Sequence, residues 1–456
     1  MRIPLFGQTG EELYADASYQ LTQNWYPHTN PEAKSQLMLY PTPAVTLSTN
    51  VGIGTIRGMI EYGDKLYVVS NDTLYRVEST GAKVLLGTIN TNVGRVSMAH
   101  NGINNGHEIL IVDGTNGYIY DSVLDTVVQI VDGDFPQTAT HAQFMDGYFI
   151  VNDPSITGQF AISSLYDGTA WSGTDIATAE RSPDKLQAIV VSDRVLYLIG
   201  SKTSEAWVNT GALDFPFAAM QSGFNQWGTV APHSATEASG VTFWLAQNDE
   251  GVGQVVQASG GQVQVISTFG ISGELSKITV LDDAYGWTYQ YHHHTFYVLT
   301  FPTAGKTFVY DIVTKQWHQW STKDTGYHKA SHHVYVYGKH YVGDNTGNSV
   351  YTLDWDSHKD GTENIVRIRR SRNIANDDPS KHLIHKAVSL DIKEGVGNAD
   401  QPNPQIKLRW RDDNGAWSSY HSRGMGKIGE NNVRIIWRRL GRSKDRVYEI
   451  STQDPV

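Results

Sequence analysis

The chain has 456 residues, 39% hydrophobic and 18% charged, with a formal charge of −11, 43 Gly, 24 Tyr and 13 Phe. Its zero cysteines exclude disulfides, thiolate metal sites and cysteine nucleophiles together, and no apolar run approaches the ~20 residues of a membrane-spanning helix. Residues 361–456 carry 18 Lys+Arg against 12 Asp+Glu, leaving 18 against 35 in residues 1–360, and so acidic a major part disfavours tight binding of a phosphate backbone.

The opening "RIPLFGQTGEEL" lacks the apolar core of a signal peptide, so the expectation is a chain made and folded in a cytoplasm. Residues 1–50, punctuated by Pro27, Pro31, Pro41 and Pro43, read as an irregular segment that wraps or closes the repeat array after it, with room for one short helix in "EELYADASYQLTQNW" (11–25).

From residue 51 a unit recurs. "DKLYVVSNDTLYRVES" (64–79) is two short apolar runs joined by an Asn-Asp turn, and a lone hairpin of this size is marginal in water. Comparable central strands stand at "KLYVVS", "EILIVDG", "GYFIVND", "RVLYLIG", "VTFWLAQ", "HTFYVLTF" and "KHYVGD", each followed by a second strand and several by a third. Between Tyr67, Leu110, Tyr148, Tyr197, Phe243, Phe296 and Tyr341 the spacing runs 43, 38, 49, 46, 53 and 45 residues. That period, with three or four short strands per unit, predicts a β-propeller over 51–356. The weak third unit leaves six or seven blades. In "KLYVVS" both alternate sets, Leu66/Val68 and Tyr67/Val69, are apolar, as expected of strands buried on both faces between packed blades rather than wetted on one.

Residues 357–380 are polar and charged and read as a linker. Beyond them, over 381–456, the period changes to five or six strands of a β-sandwich. Ile406, Leu408 and Trp410 alternate with Lys407, Arg409 and Arg411, and Ile435 and Trp437 alternate with Arg434 and Arg438. The fold expectation is therefore all-β, a six- or seven-bladed propeller followed by a C-terminal β-sandwich.

Candidate chemistry is sparse. The 17 histidines include His292 to His294 and His332, His333 and His340. In an extended strand His292 and His294 share a face without His293, and no acidic partner lies nearby in sequence, so surface or subunit contacts are expected rather than a metal site. The Asp- and Asn-rich turns "VDGTNGYIYD" (112–121) and "GDNTGNS" (343–349) lack the terminal acidic ligand of a calcium loop. "SLYDGTAW" (164–171) and "RDDNGAWSS" (411–419) resemble the Asp-containing turns of sialidase-type propellers, but their Asp–Gly–Trp spacing is off and no paired carboxylates accompany them. With no phosphate-binding Gly loop, G-x-S-x-G or H-E-x-x-H, the expectation is no enzyme, no cofactor and no metal. The basic strands favour docking on an acidic protein neighbour, and Arg409, Arg411, Arg434, Arg438, Arg439 and Arg442 are the expected subunit or adaptor contacts.

Four stretches carry a family resemblance: "NWYP" (Asn24 to Pro27) followed by "LYPTPAV" (Leu39 to Val45), "GRVSMAHNG" (Gly94 to Gly102), "RWRDDNGAWS" (Arg409 to Ser418), and "IIWRRLGRSKDRVYEISTQDPV" (Ile435 to Val456). In order along the chain, they resemble the packaged-DNA stabilisation or tail hub (nozzle) proteins of short-tailed phages. The resemblance implies a structural virion protein of the tail, assembled in the host cytoplasm as a six-fold ring below the portal and its adaptor. Such a ring continues the DNA channel, helps retain the genome and mounts a needle or plug and tailspikes or fibres. It implies passage of double-stranded DNA without sequence-specific binding, and no membrane insertion. The alternative is a glycan-binding or glycan-cleaving propeller of a receptor-binding component, which needs a pocket of convergent carboxylates, arginines and aromatics.

Overall fold

The recurring hairpins fold as the two middle strands of four-stranded antiparallel sheets. In the first, Lys65–Ser70 turns into Thr73–Val77 through Asn71 at φ 55°, a left-handed conformation that Asn tolerates. The computed structural model describes residues 7–11, 19–30, 32, 36–104, 106–179, 181–247, 253–323, 325–376, 378, 380–430 and 432–456. Six blades use strands consecutive in the sequence, with middle strands Lys65–Ser70, Glu108–Val112, Tyr148–Asn152, Val195–Gly200, Val241–Gln247 and His294–Phe301. The seventh joins Ala330–Val336, Lys339–Asp344 and Ser349–Asp354 to Ala44–Asn50 from the N-terminal region.

The innermost strands pack each on the next around a circle, and Ala330–Val336 returns onto Ile56–Tyr62. Between successive blades lie separate apolar clusters. Leu66 and Val68 pack toward blade seven with Val334, Val336 and Tyr341, while Tyr67 and Val69 pack toward blade two with Ile109, Ile111 and Tyr120. The doubly apolar strand is thus explained by burial on both sides, and the ring closes with seven blades. The third unit, the weakest in sequence, is complete, with the outer strand Asp167–Thr178.

The N-terminal region departs from the irregular reading. Trp25–Thr29 and Leu37–Pro41 form a hairpin, and Ala44–Asn50 is the outer strand of blade seven. The helix foreseen within 11–25 is not found in its described part: Tyr19–Gln23 is a strand, and residues 12–18 lie outside the described residues. The one α-helix among the described residues is Phe269–Leu275, capped by the Thr268 hydroxyl, which accepts from the Ile271 N–H.

Tyr19–Gln23 lies between the last strand of blade six, which it meets in parallel at Gln319, and Arg367–Arg370, which it meets antiparallel. Arg367–Arg370 pairs in turn with Asp445–Thr452, and that strand with Gln405–Asp412. One sheet therefore runs from the propeller into the sandwich. The segment read as a linker supplies two of its strands, Arg367–Arg370 and Ile374–Ala375. The sandwich core gathers Ile406, Leu408, Ile435, Trp437, Tyr448 and Ile450.

"NWYP" sits at the junction. Trp25 is buried in the sandwich core, and Tyr26 in the cluster between blades six and seven. Asn24, 1% exposed and at φ 56°, donates from Nδ2 to the carbonyls of Ser321 (3.0 Å) and Val366 (2.8 Å), and its Oδ1 accepts from the Ser321 N–H at 2.9 Å. Asn24→Ala strands these buried groups, and is expected to cost about 3 kcal/mol or more at 1–3 kcal/mol per unsatisfied group. Urea denaturation of the variant beside the parent measures it.

Candidate functional site

The six arginines singled out in the sequence divide into two sets. Arg409 and Arg411 belong to Gln405–Asp412 and face Trp417, their guanidiniums 4.7 and 5.7 Å from its ring centre. Arg409 Nε also donates to Glu449 Oε1 at 2.6 Å and stacks 4.6 Å from the Tyr420 ring. Arg370 reaches the other oxygen of Glu449 from Nε (3.1 Å) and Nη2 (2.6 Å), and the Tyr420 hydroxyl donates to Oε1 at 2.7 Å. Burial alone would raise the Glu449 carboxyl, but the bonds from Arg409, Arg370 and Tyr420 outweigh it and hold the group below its ordinary value. This pair of arginines is engaged inside the sandwich.

Arg434, Arg438, Arg439 and Arg442 are exposed and make no ion pair among the described residues. Arg438 lies opposite Ala387, and Arg442 opposite Ile384, which is itself 73% exposed. Exposed Lys381, Lys386 and Lys444 belong to the same strand ends. The result is a basic face with an apolar residue in it. Arg446, which sequence reading passed over, is instead 1% exposed and grips both oxygens of Asp412 at 2.5 and 2.7 Å. Its place two residues from Tyr448 in the same strand was the available signal.

The histidine runs are dispersed. His292 and His293 form the two-residue turn between Tyr291 and His294, so the shared-face expectation for an extended strand does not hold. His294 is buried, with Nδ1 2.7 Å from Asp311 Oδ2 and Nε2 2.8 Å from His28 Nδ1. The acid lies close in space though 17 residues away in sequence. Burial, then the His294 imidazole, lowers the pKa of His28. His333 Nε2 meets His340 Nδ1 at 2.9 Å, whereas His332 turns to the propeller axis beside Arg95. Among the described residues no three His, Asp or Glu side chains form a metal-binding group.

The Asp-rich turns are self-contained: Asp113 Oδ1 accepts from the Thr115 and Asn116 N–H groups, and Asp344 Oδ1 from those of Thr346 and Gly347. In "SLYDGTAW", the Trp171 indole N–H donates to the Gly168 carbonyl, while the Gly168 N–H donates to buried Glu108. A groove of about 970 Å³ crosses the ends of blades five to seven, lined among others by Glu237, Tyr289, Tyr291, His340, Asp354 and Trp355. Tyr291 and Trp355 stack on one another 3.7 Å apart, so each already covers one face of the other.

Two family models match the chain. Residues 1–358 match the β-propeller of bacteriophage P22 Gp10, and residues 373–456 match its β-sandwich. The chain belongs to the bacteriophage P22 Gp10 family. It is thus a structural protein of the phage tail, as the four sequence stretches implied. Solved structures similar to it include the WD40 β-propeller domain of Doa1 (12% identity, 68% of this chain and 97% of that one, TM-score 0.44) and the computationally designed Ika8 protein (12% identity, 76% and 100%, TM-score 0.41). PorZ of the type-IX secretion system of Porphyromonas gingivalis is similar at 11% identity, over 76% of this chain and 45% of that one, with a TM-score of 0.40. No curated protein sequence matches the chain.

Glu449→Ala leaves Arg370 and Arg409 facing a void, and is expected to cost about 3–5 kcal/mol, as for breaking a buried pair. The stabilisation from the depressed carboxyl is fully present above its unfolded pKa of about 4.3, and is lost as pH falls from there through the lower folded-state value. Denaturation measured from pH 6 downward checks both, with Glu449→Gln removing this contribution to the acid dependence.

Proposed function

We propose that the chain is the tail hub, or nozzle, of a short-tailed phage: a six-fold ring below the portal and adaptor that continues the DNA channel, helps retain the genome and anchors needle, spikes or fibres. The observation that carries this is the match of both family models along the chain, on a closed propeller whose sheet continues into the sandwich. Rigid blocks repeated about an axis make tubes. The acidic excess of residues 1–360 suits a wall past which DNA slides without sticking, and the exposed arginines of the sandwich suit docking on the adaptor or the next subunit. The role is architectural, not enzymatic, and its place is the virion tail, assembled in the host cytoplasm. The glycan-binding alternative rests on the aromatic groove of blades five to seven; release of sugar from host surface polysaccharide would favour it.

Mass photometry tests the hub reading. The free protein is expected to be largely monomeric, and to add in six copies to a portal–adaptor complex. Reversing Arg434, Arg438, Arg439 and Arg442 to Glu should weaken that addition at least tenfold while leaving the fold intact. A stable hexamer without portal and adaptor would contradict templated assembly, and undiminished addition by the reversed variant would remove the arginines from the interface. Within the assembled particle, Lys in place of channel-facing carboxylates should slow genome ejection.

A further inference from the structure

The most specific stretch of the family resemblance, "GRVSMAHNG", delivers an arginine to the middle of the propeller. Arg95 precedes the innermost strand of blade two, Ser97–His100. Its Nη2 donates to the Ser331 carbonyl at 2.7 Å and meets His332 Nε2 at 3.0 Å, both on blade seven. Its guanidinium lies 4.6 Å from the ring centre of Tyr285, on blade six. Blade one stands between blades two and seven, so these contacts span the tunnel rather than a blade-to-blade seam. Similarly, His141 at the start of blade three stacks on His233 at the start of blade five, 5.1 Å apart, across blade four. Side chains of blades that are not neighbours touch only near the axis, which means the tunnel is narrow there.

The site is built rather than incidental. Arg57, 1% exposed, spends its guanidinium on the loop before Arg95, donating to the carbonyls of Gly94, Thr91 and Val93 at 2.6–2.7 Å and to that of Asn71 at 2.8 Å. Gly94 turns the loop at φ 80°. His332 Nε2 faces the Arg95 donor, which makes it an acceptor, and Nδ1 is 2.8 Å from the Ser331 hydroxyl. His141 Nδ1 is held by the Thr140 hydroxyl at 3.0 Å. The ring nitrogens of His233 have no hydrogen-bond partner among the described residues, and no carboxylate pairs with Arg95. Burial lowers the pKa of Arg95 to about 10; burial first, and then neighbouring cations or imidazoles, push His233 and His332 well below the ordinary imidazole range.

Arg95, His233 and His332 are half-buried and His141 is buried. A half-buried guanidinium beside an imidazole and without a counter-charge leaves N–H donors that an anion can accept. We propose that the propeller axis binds a small anion, of halide to carboxylate size, on the Arg95 guanidinium beside His332, in the narrow stretch of tunnel that the stacked His141 and His233 also line. The narrow tunnel excludes larger species, and the anion locks the blades together from the centre.

Bromide and formate are the probes, with bulky gluconate holding ionic strength constant. In crystals of the full chain soaked in bromide, anomalous density is expected on the axis in contact with Arg95. In solution, bromide or formate should raise Tm by several degrees in a saturable manner, and Arg95→Gln should abolish the rise. Absence of axial density, or an unchanged rise in Arg95→Gln, overturns the proposal. The bromide experiment needs no variant, so it decides the question even if Arg95→Gln fails to fold.

Discussion

Asn24 stands where three stretches of chain meet. Its side chain fixes Ser321 after blade six and Val366 before the first sandwich strand, and its backbone N–H and carbonyl pair with Gln319 and Thr42. A propeller closed only by blade-to-blade packing would leave the sandwich on a tether. Here the N-terminal segment stitches the two together, and 20 residues after Asn24 its strand Ala44–Asn50 begins and completes the seventh blade. Ring closure and placement of the sandwich therefore depend on the same stretch. Trp25 and Tyr26, adjacent in sequence, enter different cores because successive strand residues point to opposite faces.

For a tail component this arrangement has mechanical sense. The propeller presents loops at both ends, and it is joined to the sandwich by one hydrogen-bonded sheet rather than by a tether. The strands bearing the exposed arginines, Ile435–Arg438 and Arg442–Ser443, pair in two separate two-stranded sheets. Arginine plays two parts. Arg370, Arg409 and Arg446 neutralise Glu449 and Asp412 within the domain, whereas Arg434, Arg438, Arg439 and Arg442 stay in water with no ion pair among the described residues.

Much of this was legible in the sequence. A two-residue period with apolar residues on both faces reports burial between blades, which is why all seven middle strands fell where the spacing put them. The N-terminal strands were not legible, because Pro27 and Pro41 mask the hairpin of Trp25–Thr29 and Leu37–Pro41, while Tyr19–Gln23 and Ala44–Asn50 pair with elements some 300 residues away. "RIRR" (367–370) reads as polar linker, yet Arg369 is buried against Thr22 and Gln20, and Arg370 against Glu449. No local pattern announces such partners. The exposed and engaged arginines looked alike for the same reason: Glu449, which claims Arg409, lies 40 residues away along the chain. The histidines misled because a two-residue turn at His292 and His293 breaks the strand on which their spacing was judged.

The most direct test of the account is hydrogen exchange on the chain lacking residues 1–43, which keeps the outer strand of blade seven but removes the stitch. The account predicts that Arg367–Arg370 and Asp445–Thr452 lose most of their protection, while the middle strands of blades two to four keep theirs. Unchanged protection across those two sandwich strands would contradict it.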